Sequence, residues 1–104
     1  MIRLTVMYPN LKDSKFDLEY YEKKHLPMVT ELLGDAAENI DFVAGLGSAV
    51  PNEPAPFAGI TTITFESMEA FQNSFGVNAE KIKADGPNYT NVVPVVQISK
   101  VILN

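Results

Sequence analysis

The chain has 104 residues, no cysteine and a formal net charge of −5 at pH 7. An acidic chain repels phosphate backbones, which disfavours nucleic-acid binding. The absence of cysteine excludes disulfides, thiolate nucleophiles and Cys-ligated metals, and it suits a reducing cytoplasm, which is the compartment we predict. The first residues lack the apolar run of a signal peptide, and no stretch approaches the roughly 20 apolar residues of a membrane span, so we expect no membrane contact.

The first two predicted elements are a strand and a helix. From Ile2 to Tyr8 apolar and polar side chains alternate, which indicates a strand with one buried face. Asp17 can cap a helix that runs to about Leu33. Pro27 lies inside this helix and lacks an amide hydrogen, so we expect a kink just after His25. The apolar stripe of the helix has helical spacing and consists of Leu18, Tyr21, His25, Met28, Val29 and Leu32.

The rest of the chain predicts two strands, a helix and a final strand. The second strand covers residues 40–49, where Gly45 and Gly47 suggest a bulge or a close approach by another segment. The third covers residues 57–66. Ser67 caps the second helix, which has a potential break at residues 76–78 and ends at residues 85–87. The last strand runs from residue 94 to about residue 103.

The order β-α-β-β-α-β is that of the ferredoxin-like fold, an α+β architecture. It predicts one four-stranded antiparallel sheet with both helices on one face. The other sheet face would be bare, and a second copy of the chain is the simplest cover for it, so we predict a homodimer. The alternative is a monomer with an exposed apolar sheet. The residues that suggest apolar character on both faces are Phe42 with Val43, Ile60 with Ile63, and Ile98 with Val101.

Two groups of residues form a recognisable pattern. The first consists of Tyr8-Pro9, Phe16-Asp17, Tyr20-Tyr21, His25 and Pro27. The second consists of Asn88-Tyr89-Thr90-Asn91 followed by Pro94, Val95, Gln97, Ile98 and Ser99. Together they resemble the EthD family over nearly the whole chain, so residues 1–104 are expected to form a single EthD-like domain with the ferredoxin-like fold.

The resemblance implies a dimeric α+β barrel, in which two sheets pack face to face and the helices lie outside. It also implies a pocket between each sheet and its helices. The family is named for a protein required in bacterial degradation of ethyl tert-butyl ether. Related barrels include cofactor-free monooxygenases, polyketide cyclases, muconolactone isomerases and haem-binding enzymes, so the fold carries over but the reaction does not.

His25 is the candidate for proton transfer in that pocket. Its imidazole ordinarily titrates near pH 6.5, and burial would lower the pKa and keep the ring neutral, as a general base requires. Tyr21 lies one turn earlier on the same face and could hold a substrate oxygen or orient the ring, so we assign both residues a catalytic role. The alternative is a core histidine bonded to a backbone carbonyl. Spacing alone favours that alternative, whereas the family pattern favours a role in the site.

Four further residues are candidates for substrate binding. Tyr8 ends the first strand, where pockets often open, and Tyr89 offers a second phenol. Thr90 and Asn91 precede the last strand and could donate hydrogen bonds into the pocket. The alternative is that the phenols only pack and that Thr90 and Asn91 cap a turn. No metal or other cofactor is predicted, because His25 has no second histidine or cysteine to share a metal.

Three functions remain open. The first is a cofactor-independent enzyme, catabolic or biosynthetic, that acts on a small apolar organic molecule as an isomerase, cyclase, lyase or monooxygenase. In it His25 would move a proton and a Tyr hydroxyl would steady the developing oxyanion. The second is a non-catalytic dimer that binds a small molecule, with His25 as a hydrogen-bond partner. The third is haem binding through His25, to which the family resemblance gives the least support.

Overall fold

The computed structural model describes all 104 residues, Met1–Asn104. Four strands and two helices follow one another in the order β-α-β-β-α-β. The strands are β1 (Ile2–Pro9), β2 (Ala37–Ala44), β3 (Phe57–Phe65) and β4 (Val95–Lys100). Helix α1 joins the segments Leu18–Tyr20, Tyr21–His25 and Leu26–Leu33. Helix α2 joins the segments Met68–Phe71, Gln72–Gly76 and Val77–Ala84.

The strands form one antiparallel sheet in the order β2-β3-β1-β4, which confirms the ferredoxin-like α+β prediction. On β1 the side chains of Leu4, Val6 and Tyr8 are buried, and those between them are not. The two helices cover this face of the sheet. One hydrophobic core lies between the sheet and the helices and consists of Leu4, Val6, Tyr8, Tyr21, Val29, Leu33, Ile63, Phe65, Ile82 and Tyr89.

The other face of the sheet has no helix over it. The strand register places Ile60 beside both Met7 and Val43, and places Met7 beside Val95, so four apolar side chains form a row across all four strands. Val43 is 58% exposed and Val95 is 49% exposed. We call this row the open-face row.

The prediction that Ile98 and Val101 lie on opposite faces of the last strand holds only in part. Ile98 pairs with Leu4, a core residue, so it lies on the helix face of the sheet, and Val101 lies beyond the end of β4. The neighbouring positions on the open face of β4 are occupied by Gln97 and Ser99. The apolar character of the open face therefore depends on one row and not on alternation along β4.

Helix α1 begins as predicted, since the Asp17 carboxylate accepts a hydrogen bond from the Tyr20 amide at 3.0 Å. Two details differ from the prediction. Leu18 does not belong to the buried stripe and is 46% exposed. Around His25 the helix widens into a π-helical turn, Tyr21–His25, in which the Leu26 amide donates to the Tyr21 carbonyl.

Helix α2 is capped by Ser67, whose hydroxyl accepts from the Ala70 amide at 3.1 Å. The expected break at residues 76–78 is absent. A π-helical turn over Gln72–Gly76 takes its place, and the helix continues to Ala84. Neither helix combines the length and the apolar character that crossing a membrane requires.

Strand β2 begins and ends earlier than predicted, at Ala37 and Ala44. Gly45 follows it at a place where the chain passes close to the next strand. A Cβ atom added to Gly45 would collide with the Phe57 carbonyl oxygen, and it would lie 2.7 Å from the Ala55 Cβ atom. The expected close approach therefore occurs at Gly45.

Gly45→Ala is expected to lower the free energy of unfolding by about 1–3 kcal/mol, because backbone atoms would have to move to make room for one methyl group. The matched control is Gly76→Ala. Gly76 has helical angles (φ −56°, ψ −45°), and its added Cβ would meet nothing closer than 3.8 Å. That change should stabilise the protein by about 0.5–1 kcal/mol. Urea unfolding measures both, and equal effects of the two changes would contradict the packing at Gly45.

Candidate functional site

A cavity of about 830 Å³ lies between the helix face of the sheet and the two helices. Strands β1 and β3, both helices and the connector between α2 and β4 form its walls. Thirteen of the 21 residues that line it are hydrophobic, so most of its wall is apolar. A cavity of this size and character is typical of a site for a small organic molecule.

His25 contributes an imidazole to the cavity wall. The residue ends the π-helical turn of α1 and is only 3% exposed. Its Nδ1 atom lies 2.8 Å from Oδ2 of Asp85, which directly follows helix α2. The other oxygen of Asp85 accepts hydrogen bonds from the Tyr20 hydroxyl at 2.7 Å and from the Asn88 amide at 2.9 Å. The carboxylate therefore joins the end of α2 to α1.

The second ring nitrogen of His25, Nε2, is not fully buried. It has no hydrogen-bond partner in the chain, whereas every fully buried side-chain nitrogen or oxygen has one. Nε2 therefore retains some accessible surface, and because His25 lines the cavity, we infer that Nε2 faces it.

The pKa values of the pair shift in the direction that favours a neutral ring beside an ionised carboxylate. Burial lowers the pKa of His25 below its usual 6.5, and this effect outweighs the opposing hydrogen bond and charge of Asp85. Burial acts to raise the pKa of Asp85, but hydrogen bonds from Asn88, His25 and Tyr20 outweigh it, and the net shift is downward. Both shifts therefore favour a neutral imidazole next to an ionised carboxylate at neutral pH.

Four hydroxyl groups form a chain along the wall of the cavity. The Tyr8 hydroxyl lies 2.8 Å from that of Tyr89 and 3.4 Å from that of Tyr21, and the Tyr21 hydroxyl contacts that of Thr61. The chain contains four hydroxyl hydrogens but three oxygen–oxygen contacts, so one hydrogen is left for a partner outside it.

These phenols stay protonated at neutral pH. Burial is the main cause that raises the pKa of Tyr8, and it also raises the pKa of Tyr89, to about 12. Their rings also surround the imidazole. The ring of Tyr21 stacks on that of His25 with centroids 4.8 Å apart, and the Tyr89 ring lies 4.6 Å away on a tilted plane. The hydroxyl chain and the imidazole therefore belong to one polar end of an otherwise apolar cavity.

The structure brings four of the six predicted site residues into one cluster, namely His25, Tyr21, Tyr8 and Tyr89. Thr90 and Asn91 lie on the cavity wall, but their side chains bind the loop before α1. The Thr90 hydroxyl donates to the Lys15 carbonyl, and the Asn91 side chain accepts from the Lys15 amide and donates to the Asp13 carbonyl. These polar contacts hold the loop in place.

Two residues of the cluster, Asp85 and Thr61, were not found from the sequence. Asp85 was read only as part of the helix end, and it lies 60 positions from its partner His25. Thr61 occupies a buried position on β3, where threonine is an ordinary strand residue. The one signal available was that a buried imidazole needs a partner for Nδ1. No group of three His, Asp or Glu side chains lies together in a way that could hold a metal ion.

Comparison with known proteins gives a consistent result. The family model of the EthD domain matches residues 9–92. An EthD-like protein from Ralstonia eutropha JMP134 is 33% identical, with a TM-score of 0.92, and the match covers 98% of this chain and 92% of that one. No curated protein sequence matches the chain significantly.

Two more distant structures share the fold. An EthD family protein from Bacillus halodurans C-125 is 14% identical with a TM-score of 0.69, over 98% of this chain and 99% of that one. A protein from Arabidopsis thaliana is 13% identical with a TM-score of 0.65, over 99% of this chain and 96% of that one. At such identities the likeness concerns the fold alone.

The lowered pKa of His25 predicts a pH-dependent stability. As the pH falls below about 6.5, the unfolded chain takes up a proton before the folded protein does. The contribution of this group to stability is thus complete above about pH 6.5 and is lost as the pH falls toward the lowered pKa of the folded state. Urea unfolding between pH 5 and pH 8 measures this loss.

The control for this experiment is His25→Gln, which removes the only histidine of the chain. The variant should be less stable throughout, because it loses ring packing, but its stability should vary less between pH 5 and pH 6.5. Parallel pH profiles for the two proteins would contradict the assignment.

Proposed function

The chain belongs to the EthD family, and from that premise we propose that it binds a small, mostly apolar organic molecule in the cavity between sheet and helices and that His25 transfers a proton to or from it. The observation that carries this proposal is the polar end of the cavity, where His25, whose Nε2 has no partner in the chain, and a chain of hydroxyls line the same wall. The apolar walls would supply affinity, and the polar end would supply orientation and chemistry.

The proposed chemistry requires a base and a hydrogen-bond donor beside the same ligand. A neutral imidazole with an accessible Nε2 can accept a proton from carbon or oxygen. The spare hydrogen of the hydroxyl chain can bond a ligand oxygen on which negative charge develops. Because Tyr8 donates to Tyr21, the hydrogens of Tyr8 and Tyr89 are used within the chain, and the spare hydrogen belongs to Tyr21 or Thr61. Isomerisation, cyclisation and elimination all begin with such a proton transfer and need no cofactor.

A non-catalytic binding protein is the second candidate, and the same cavity supports it. In that case Nε2 would only accept a hydrogen bond, and the ligand would leave unchanged. The two candidates differ in whether a ligand hydrogen exchanges with solvent.

The experiment begins with the molecule that the purified protein retains, which denaturation releases and mass spectrometry identifies. When that molecule is incubated with the protein in D₂O, deuterium should appear in the molecule or its product, at the carbon that loses and regains the proton. His25→Ala should slow the incorporation by about 10²–10⁴-fold, the usual contribution of a general base. A folded variant that exchanges as fast as the wild type would contradict the role of His25. Binding without exchange in the wild type would favour the second candidate.

We also propose that a second copy of the chain covers the open face of the sheet. The open-face row is apolar in all four strands, and the row beside it (Asp41, Thr62, Thr5 and Gln97) contains only one charged side chain. A second copy of the chain could therefore bury both rows while placing only one charged side chain per subunit in the interface.

Ile60→Asp tests the homodimer, because it places a carboxylate in the middle of the open-face row. The variant should elute as a monomer in size-exclusion chromatography with light scattering, whereas the wild type should elute as a dimer. Leu18→Asp is the control, since Leu18 is 46% exposed on helix α1, and it should leave the dimer intact. A monomeric wild type, or a folded Ile60→Asp dimer, would contradict the proposal.

A further inference from the structure

The tautomer of His25 decides what the cavity offers to a ligand. A neutral imidazole has one nitrogen with a hydrogen and one with a lone pair, and the partner of one nitrogen sets the state of the other. In this protein Nδ1 faces Oδ2 of Asp85 at 2.8 Å, and Nε2 faces the cavity. The state of the accessible nitrogen therefore depends on the state of Asp85.

We propose that Asp85 is a positioning residue that holds His25 in the Nδ1–H form, so that the cavity presents the Nε2 lone pair as its one strong proton acceptor. An ionised carboxylate only accepts hydrogen bonds, so the hydrogen in this contact belongs to Nδ1. The inference rests on the proposed function only in taking the cavity as the ligand site. The tautomer itself is a property of the ligand-free protein.

The surroundings of Asp85 support its ionised state. Tyr20 and Asn88 both donate to Oδ1 while His25 occupies Oδ2, so both oxygens have donors. Tyr20 and His25 lie on α1, and Asn88 follows α2, so the donors come from two sides. The other titratable groups beside the ring are Tyr21 and Tyr89, both neutral phenols. No lysine or arginine forms an ion pair with Asp85. The one ion pair that involves a lysine or arginine joins Lys23 to Glu19.

The tautomer also restricts the class of ligand. With Nε2 as acceptor and a hydroxyl hydrogen as donor, the polar end complements a molecule that can give up a hydrogen next to an oxygen that accepts one. An apolar carbonyl compound with an acidic C–H bond has this pattern, and so does an apolar alcohol or enol. In the carbonyl case the C–H bond breaks, its proton moves to Nε2, and the electron pair passes to the carbonyl oxygen. The proton then returns to carbon or oxygen, so no oxidant or reductant is consumed.

The opposite tautomer would reverse this preference. With hydrogen on Nε2 the polar end would lose its strong acceptor and gain a second donor, so it would suit a ligand whose oxygens accept hydrogen bonds. Asp85→Asn should produce this state. Tyr20 and Asn88 both donate to the Oδ1 position, so the amide oxygen of the new residue should stay there. Its NH₂ group would then face Nδ1 as a donor, which makes Nδ1 the acceptor and transfers the ring hydrogen to Nε2.

Nitrogen-15 NMR of histidine-labelled protein measures the tautomer directly, and the single histidine makes the assignment unambiguous. At pH 7.5 the wild type should show a protonated, pyrrole-type Nδ1 and an unprotonated, pyridine-type Nε2. In Asp85→Asn the two types should exchange places. Tyr20→Phe is the matched control, since it removes one donor and keeps the carboxylate, and it should retain the wild-type pattern.

Several results would overturn the proposal. A wild type with hydrogen on Nε2 would do so whether or not any variant folds. A folded Asp85→Asn protein with the wild-type pattern would do so as well, because the carboxylate would not be what selects the tautomer. Since no ligand enters the experiment, these outcomes are independent of whether His25 later proves to transfer a proton in the D₂O assay.

Discussion

The buried contact between His25 and Asp85 is the interaction on which the site depends. An imidazole that is 3% exposed in an apolar wall needs a partner, since an unpaired buried polar group costs about 1–3 kcal/mol. Asp85 satisfies Nδ1 and in turn takes hydrogen bonds from Tyr20 and Asn88. Because α1 carries the imidazole and the end of α2 carries the carboxylate, the contact fixes the two helices relative to each other. The orientation of Nε2 toward the cavity follows from this.

The π-helical turn of α1 explains how one helix supplies both rings of the site. Tyr21 and His25 are its first and last residues, and both are buried, with their rings stacked. Pro27 follows two residues later, where its missing amide hydrogen and its ring disfavour an ordinary bond to the Lys23 carbonyl. The wider turn before the proline accommodates the missing bond. π-helical turns often occur at functional sites, and this one places two side chains against the cavity.

The sequence predicts the frame of the protein well because the frame follows from local rules. Alternation from Ile2 to Tyr8 predicts β1, and Asp17 and Ser67 cap the helices as expected. It predicts less of the site, because the site depends on contacts between distant segments. Asp85 reaches His25 only when the two helices pack, and nothing near residue 85 indicates that its carboxylate points inward. The face on which Ile98 lies depends on the register between β1 and β4, which periodicity within β4 does not determine.

The cavity has two polar features, the hydroxyl chain and the imidazole of His25, and they differ in whether they donate or accept a hydrogen. Four hydroxyls polarise one another along the hydroxyl chain, and one of their hydrogens is left to donate. The hydrogen bond from that hydroxyl would become stronger when a ligand oxygen gains negative charge. In the proposed reaction the imidazole would gain a proton in the same step, and the carboxylate of Asp85 would stabilise the resulting positive charge. Donor and acceptor thus become stronger partners for a ligand that loses a proton than for one that keeps it. A site that only bound an apolar molecule would need neither the hydroxyl chain nor the imidazole, because the apolar cavity wall alone would provide the affinity.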